Sequence, residues 1–147
     1  MENKIISIIK TAESFLGTPY KYGVKKEEIP NFLDCSSFTQ LVFQNSCNIN
    51  IERSTIAQAL KGTRVNEQCP QPGDLIFFRG TKGHFNDEWF PPEQWGFNIC
   101  IGHVVLYIGN EAAIHASGKP DKRSVVKQPL KQIIKEYGPI VLIKRIL

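Results

Sequence analysis

The chain has 147 residues, of which 41% are hydrophobic and 22% charged, the composition of an ordinary globular protein. That length is enough to bury a full core, so we expect a single domain over residues 1–147. The formal net charge is +4, and the basic excess lies after residue 118. These basic residues are spread out and are not interleaved with aromatic ones, which favours a solvated face and argues against nucleic-acid binding.

The hydropathy of the chain argues against two further classes. No apolar run reaches the length that crosses a membrane, so we expect no membrane insertion. Lys4 and Lys10 interrupt residues 1–16, which therefore lack the continuous apolar region of a secretory signal. The compartment stays open, because the cytoplasm and a cell wall reached by another route both fit this pattern.

The cysteines do not form a recognisable metal motif. None of the four has the C-x-x-C spacing of a zinc site, and a single reactive thiol would leave an odd number, which argues for reduced thiols. We expect no metal, no cofactor and a monomer. The four cysteines are Cys35, Cys47, Cys69 and Cys100.

The order of the predicted elements indicates an α+β domain. Apolar periodicity and capping signals predict helices over residues 5–16, 34–47, 56–60 and 129–137. Short apolar runs predict strands over residues 75–78, 102–109, 112–116, 123–127 and 140–146. Because helices come first and the strands follow as an antiparallel meander, the pattern is typical of the α+β class.

Residues 79–99 do not fit a regular element. Glycines and prolines exclude a long helix or strand there, yet the segment carries five aromatic residues. Two interpretations are open. The rings either attach a long surface loop to the core or form the wall of a binding groove.

A cysteine at the predicted start of a helix is the candidate nucleophile. Asp34 is a good N-cap, and Cys35 would occupy the first helical position, where the helix dipole favours negative charge. We therefore expect the Cys35 thiol to ionise more easily than usual. The alternative is a buried, unreactive cysteine.

Two of the three histidines lie on neighbouring predicted strands. A hairpin loop of three residues, 109–111, would place Val105 opposite His115 and put His115 on the same face as His103. A loop of two residues would put His115 on the other face. The first register predicts a base, His103, whose second ring nitrogen is held by His115.

These motifs occur in an order and spacing that resemble the NlpC/P60 family of papain-like cysteine peptidases, which cut bacterial cell-wall peptides. The resemblance extends from about residue 8 to residue 117. The motifs that carry it are FLGTPYKYG at 15–23, DCSSF at 34–38, RST at 53–55, PGDLIFF at 72–78, GHV at 102–104 and IHAS at 114–117.

The resemblance implies a fold, a site and a substrate. The fold would place N-terminal helices on a central antiparallel sheet or barrel. The substrate would be a peptidoglycan stem peptide or muropeptide, cleaved between γ-D-glutamate and a diamino acid. The implied catalytic residues are Cys35 as nucleophile, His103 as base and His115 as third polar residue. The residues implied in substrate or oxyanion binding are Tyr20, Ser36 and Ser37.

Some features depart from the family pattern and leave alternatives open. Val24 stands where the family usually has a second glycine, and the segments 22–34 and 79–99 are longer than usual. Because these segments would border the groove, the departures bear on the substrate more than on the chemistry. The alternatives are an amidase or acyltransferase acting on another amide or ester, a non-catalytic muropeptide-binding module, and a zinc site built from cysteine and histidine.

Overall fold

Helices form the N-terminal part of the chain. The computed structural model describes residues 2–80, 88–89 and 100–147. Three predicted helices are confirmed, each within three residues of its predicted start. They are α1 (Glu2–Ser14), α2 (Cys35–Cys47) and α3 (Thr55–Ala59), with a 3-10 turn at Lys26–Glu28 between the first two.

Strands make up most of the remaining chain, with one more helix near its end. The first strands are β1 (Thr63–Val65), β2 (Leu75–Phe78), β3 (Glu88–Trp89) and β4 (Cys100–Ile101). They are followed by β5 (His103–Gly109), β6 (Ala112–Ala116), β7 (Val125–Pro129), α4 (Leu130–Tyr137) and β8 (Ile140–Arg145).

The main sheet has six antiparallel strands in the order β1-β8-β2-β5-β6-β7. The predicted meander is confirmed for β5, β6 and β7, but the last strand returns to lie between β1 and β2. Strand β1 was not predicted because it is short and largely exposed, so it lacks the apolar signature of a buried strand. The α+β class is confirmed.

The two faces of this sheet carry separate apolar clusters. On one face, side chains such as Phe77, Val104 and Leu106 pack with α1 and α2. On the other face, Phe78 and Val105 pack with residues of α4. The alternation follows from the two-residue period of a strand, and it places both histidines of interest on the α4 face.

The hairpin between β5 and β6 differs from the prediction in its turn. The loop has two residues, Asn110 and Glu111, with φ of 52° and 56°, the left-handed conformation of a tight hairpin. A bulge between Tyr107 and Gly109 compensates for the shorter loop. Leu106 therefore still pairs with Ile114, and the same register places Val105 opposite His115. The predicted loop length was wrong, but the predicted shared face is confirmed.

The start of β7 also differs from the prediction. Residues 123–124, predicted as part of that strand, pair instead with the segment after α1, where Pro19 bridges Ser124 and the Tyr20 N–H bonds to the Arg123 carbonyl. The strand proper begins two residues later. This pairing anchors the segment that carries Tyr20, which lines the site described below.

Two further predictions are only partly covered. Most of segment 79–99 lies outside the described residues. Both interpretations of its aromatic rings therefore stay predictions. Among the helices of the described ranges, none combines the length and the apolar character needed to span a bilayer.

Candidate active site

The start of α2 is closed by a reciprocal cap. The Asp34 carboxylate accepts the Ser37 N–H at 2.8 Å, and the Ser37 hydroxyl oxygen accepts the Asp34 N–H at 2.8 Å. Cys35 follows as the first helical residue, as predicted, and it is 6% exposed. The cap fixes the direction in which the cysteine side chain leaves the helix.

Arg53 holds the same helix start from outside. Its guanidinium donates to the Asp34 carboxylate at 2.9 Å, to the Ser36 hydroxyl at 2.8 Å and to the Val24 carbonyl at 3.1 Å. The sequence contained this residue in a motif but gave it no role. The structure shows that it joins the helix start to the loop before it.

Gln58 is a second support that sequence reasoning missed. The fully buried amide donates to the Ser36 carbonyl at 2.8 Å and accepts from the Thr39 hydroxyl at 2.7 Å. It also donates to the Glu52 carbonyl at 2.9 Å. A glutamine inside a short helix has no distinctive sequence signal, so only the packing of α3 against α2 reveals it.

The Cys35 thiol lies in an environment that opposes ionisation. Burial is the main cause that raises its pKa to about 11, and the Asp34 carboxylate adds to the rise. The Thr55 hydroxyl, 3.8 Å from the sulfur, the Val104 N–H and Arg53 act in the opposite direction. The expectation of an easily ionised thiol, based on the helix dipole alone, is therefore overturned by desolvation. A base must take the proton if this sulfur is to react.

A pocket of about 180 Å³ opens beside Cys35. Of the residues predicted to bind substrate, Tyr20 and Ser36 line this pocket, whereas Ser37 does not. Ser37 is fully buried, and both its N–H and its hydroxyl are engaged by Asp34. The structure therefore gives Ser37 a role in capping the helix, and it corrects the expectation that this residue binds substrate or oxyanion.

Tyr20 is positioned by close packing. Burial raises the pKa of its hydroxyl well above the usual range, and Cys35 and Asp34 add to the rise. The hydroxyl therefore stays protonated and can donate. A side chain at position 118 would bring its Cβ within 2.9 Å of the Tyr20 ring, so Gly118 allows the ring to lie where it does.

The two histidines meet as predicted. His103 Nε2 lies 2.9 Å from His115 Nδ1, and the ring planes are nearly perpendicular at 82°. Both side chains are buried, at 3% and 0% exposure. Burial lowers the pKa of His115 to about 4, although its contact with Gln128 acts in the other direction. His115 is therefore a neutral imidazole at neutral pH.

The Tyr137 ring contacts both histidines. Its ring stacks on His103 with centroids 3.8 Å apart and planes within 4° of parallel, and it meets His115 edge to face. Burial raises the pKa of Tyr137, and Cys35 adds to the rise. The Val104 N–H, next to His103, also reaches Cys35. The start of β5 thus brings the thiol and the imidazoles together.

The third histidine and two of the other cysteines can be placed briefly. His84 lies outside the described residues. Cys47 and Cys69 are free thiols, the first partly buried and the second exposed. Within the described ranges, no group of three or more His, Cys, Asp or Glu side chains converges in a way that could hold a metal ion.

Comparison with known proteins shows which family this chain resembles. A model of the NlpC/P60 family matches residues 17–87. The "Probable endopeptidase p60" of Listeria innocua is 34% identical over 110 residues, which are 75% of this chain and 19% of the relative. The "Gamma-DL-glutamyl hydrolase" of Bacillus subtilis is 29% identical over 112 residues, which are 76% of this chain and 23% of that protein. This chain thus spans about a fifth of the length of these relatives.

A solved structure extends the match to the whole domain. The NlpC/p60 domain of the peptidoglycan hydrolase SagA superposes with a TM-score of 0.69 at 25% identity, over 95% of this chain and 97% of that one. Helices packed on a six-stranded antiparallel sheet define an α+β domain with the fold of the NlpC/P60 structures. The chain is thus similar to members of the NlpC/P60 family in both sequence and fold.

Proposed function

We propose that this chain is a cysteine peptidase that hydrolyses an amide bond in peptidoglycan stem peptides. The observation that carries the proposal is the 2.9 Å contact between His103 and His115 beside the helix-start Cys35. A nucleophile, a base and a residue that orients the base are the three parts of a thiol hydrolase site. Each part is supplied by a different element, α2, β5 or β6, and all three side chains are buried.

The first step is attack on the scissile carbonyl. Because burial keeps the Cys35 thiol protonated, His103 takes its proton as the sulfur attacks. The resulting imidazolium lies against the π face of Tyr137, which favours a cation. His115 accepts the hydrogen bond of the other ring nitrogen and holds the ring in place.

The tetrahedral oxyanion then needs donors near the sulfur. The first N–H groups of a helix have no partner within the helix, and they are oriented toward the position of the nucleophile. With the Ser37 N–H used by Asp34, the N–H groups of Cys35 and Ser36 and the protonated Tyr20 hydroxyl are the donors of this site. His103 then protonates the leaving amine, and water activated by the same ring hydrolyses the thioester.

The substrate follows from the family and its named relatives. The Bacillus subtilis relative is named as a hydrolase of γ-glutamyl bonds, and SagA as a peptidoglycan hydrolase. We therefore assign the bond between γ-D-glutamate and the diamino acid of a stem peptide. The chain would act as a monomer, without metal or cofactor.

The test is turnover of defined tri- and tetrapeptide stems, with products identified by mass spectrometry. Cys35→Ala and His103→Ala should each abolish cleavage, whereas Cys69→Ala, the same kind of change at an exposed cysteine, should not. Cleavage that survives Cys35→Ala contradicts the proposal. Tight binding without cleavage by the unaltered chain would favour a binding module, and transfer to an added amine would favour an acyltransferase.

A further inference from the structure

A chain of hydrogen bonds continues from His115 toward the surface. His115 Nε2 lies 2.5 Å from Gln128 Oε1, on the neighbouring strand β7. The Gln128 amide nitrogen in turn donates to Glu136 Oε1 at 3.3 Å. The other oxygen of Glu136 pairs with Lys122 Nζ at 2.9 Å. Gln128 is 5% exposed, so its amide has little access to solvent.

The chemistry of these groups determines which ring nitrogens carry protons. A carboxylate only accepts hydrogen bonds, so Glu136, which forms an ion pair with Lys122, must face the amide NH₂ of Gln128. The amide oxygen is then turned toward His115, whose Nε2 must be the donor. A neutral imidazole has one donor and one acceptor, so His115 Nδ1 accepts.

The same reasoning determines which ring nitrogen of His103, the proposed base, carries the proton. Because His115 Nδ1 accepts, His103 Nε2 must carry the proton in their shared bond. A neutral His103 then has its lone pair on Nδ1, the nitrogen that would take the proton of the Cys35 thiol. If Gln128 were reversed, His115 would donate to His103 Nε2, and the lone pair of the base would be used inside the pair.

We propose that Gln128 and Glu136 are positioning residues that set the tautomers of both histidines. The proposal rests on the proposed function only in naming His103 as the base. The tautomers themselves can be observed without any substrate. The low pKa of His115 agrees with this role, because a protonated His115 would have no acceptor for His103.

The described charged groups around the two histidines include Lys119, whose Nζ lies 4.6 Å from the centroid of the Tyr137 ring. The His115 ring faces His103, Gln128 and the edge of Tyr137, and the charged groups that influence it are Glu136 and Lys122. The His103 ring faces Phe78, His115 and the Tyr137 ring. The amide of Gln128 is thus the link by which the charge of Glu136 determines a proton position at the site.

The direct test is nitrogen-15 NMR on protein with labelled histidine side chains. His84→Gln removes the third histidine and leaves two imidazoles to assign. We expect Nε2–H on both rings at neutral pH in the otherwise unaltered chain. A proton on Nδ1 of either neutral ring overturns the proposal, whatever the activity.

The kinetic test separates positioning from packing. Gln128→Met keeps the shape of the side chain but removes both hydrogen bonds, and we expect kcat to fall about tenfold with KM changed less than about twofold. The tautomer pattern of His115 should become mixed. The matched control is Gln132→Met on the exposed side of α4, which should change neither.

A double substitution provides the rescue. Gln128→Glu with Glu136→Gln keeps an acceptor beside His115 and a donor behind it, so kcat should return to within about threefold of the unaltered chain. An unchanged kcat in Gln128→Met, or a double variant no better than Gln128→Met, overturns the proposal. If the unaltered chain cleaves no stem peptide, the proposed function fails, and the NMR result alone then decides the tautomer proposal.

Discussion

The two sides of the site are built in different ways. The helix side, with Cys35, is held by a charged network in which Asp34 and Arg53 are the main partners. The strand side, with His103 and His115, is held by ring stacking and by neutral hydrogen bonds. The comparison teaches that the proposed nucleophile is fixed by polar capping of its helix, whereas the proposed base is fixed by ring stacking and neutral hydrogen bonds.

The largest effect should come from removing His103, the proposed base. We expect His103→Gln to lower kcat by about 10²–10⁴-fold, the usual contribution of a general base. His115→Asn, which keeps a hydrogen-bond acceptor, should cost less, because an amide can still hold the His103 ring. Steady-state kinetics on one stem peptide compares the two. Equal losses would mean that His115 does more than orient the base.

The protonation state of the Cys35 thiol is the next test of the difference between the helix side and the strand side. With its pKa raised to about 11, Cys35 should react with iodoacetamide about tenfold faster for each pH unit between about pH 6 and 9. The measurement uses a variant in which the other three cysteines are serine. A rate that stays constant from pH 5 to 7 would show a preformed thiolate and contradict the role given to desolvation.

The strand side predicts a pH-dependent stability. His115 has a folded pKa of about 4, below its ordinary value, so the unfolded chain binds the proton more readily between these values. Stability should therefore fall as the pH drops from 7 to 4, by roughly 3 kcal/mol from this residue. Urea unfolding at several pH values, compared with His115→Asn, isolates the contribution. A difference that does not change with pH would refute the assignment.

The helix side predicts a smaller loss of stability. Arg53→Met removes three hydrogen bonds and leaves the Asp34 carboxylate without its partner. Since Arg53 is itself 40% exposed, we expect a loss of about 1–2 kcal/mol in the free energy of unfolding. Lys61→Met, which breaks an exposed pair with Glu52, is the matched control and should cost less than about 0.5 kcal/mol. Equal losses would show that the hydrogen bonds of Arg53 do not stabilise the fold.

Much of the helix side could be predicted from the sequence. Asp34 and Cys35 are neighbours in the chain, and their capping geometry follows from local rules that need no tertiary contact. The environment of the sulfur could not be predicted in this way. Its burial depends on the strand that packs over it, and that burial reverses the expected shift in pKa.

The strand side could be predicted only in part. Alternation along β5 and β6 placed both histidines on one face, but the turn length was wrong, and the result held because the bulge near Gly109 restored the register. Tyr137 and Gln128 lie far along the chain from the histidines' motifs. No local pattern marks a tyrosine or a glutamine as a contact of a distant imidazole.

The sequence by itself determined the α+β class, most of the helices and strands, and the identity of the cysteine and histidines, because periodicity and capping are local properties. The tertiary structure alone decided the path of β8, the protonation of the Cys35 thiol and the hydrogen-bond order behind His115. These depend on burial and on contacts between distant segments. Desolvation and hydrogen-bond direction are properties of the packed chain, and no stretch of sequence carries them alone.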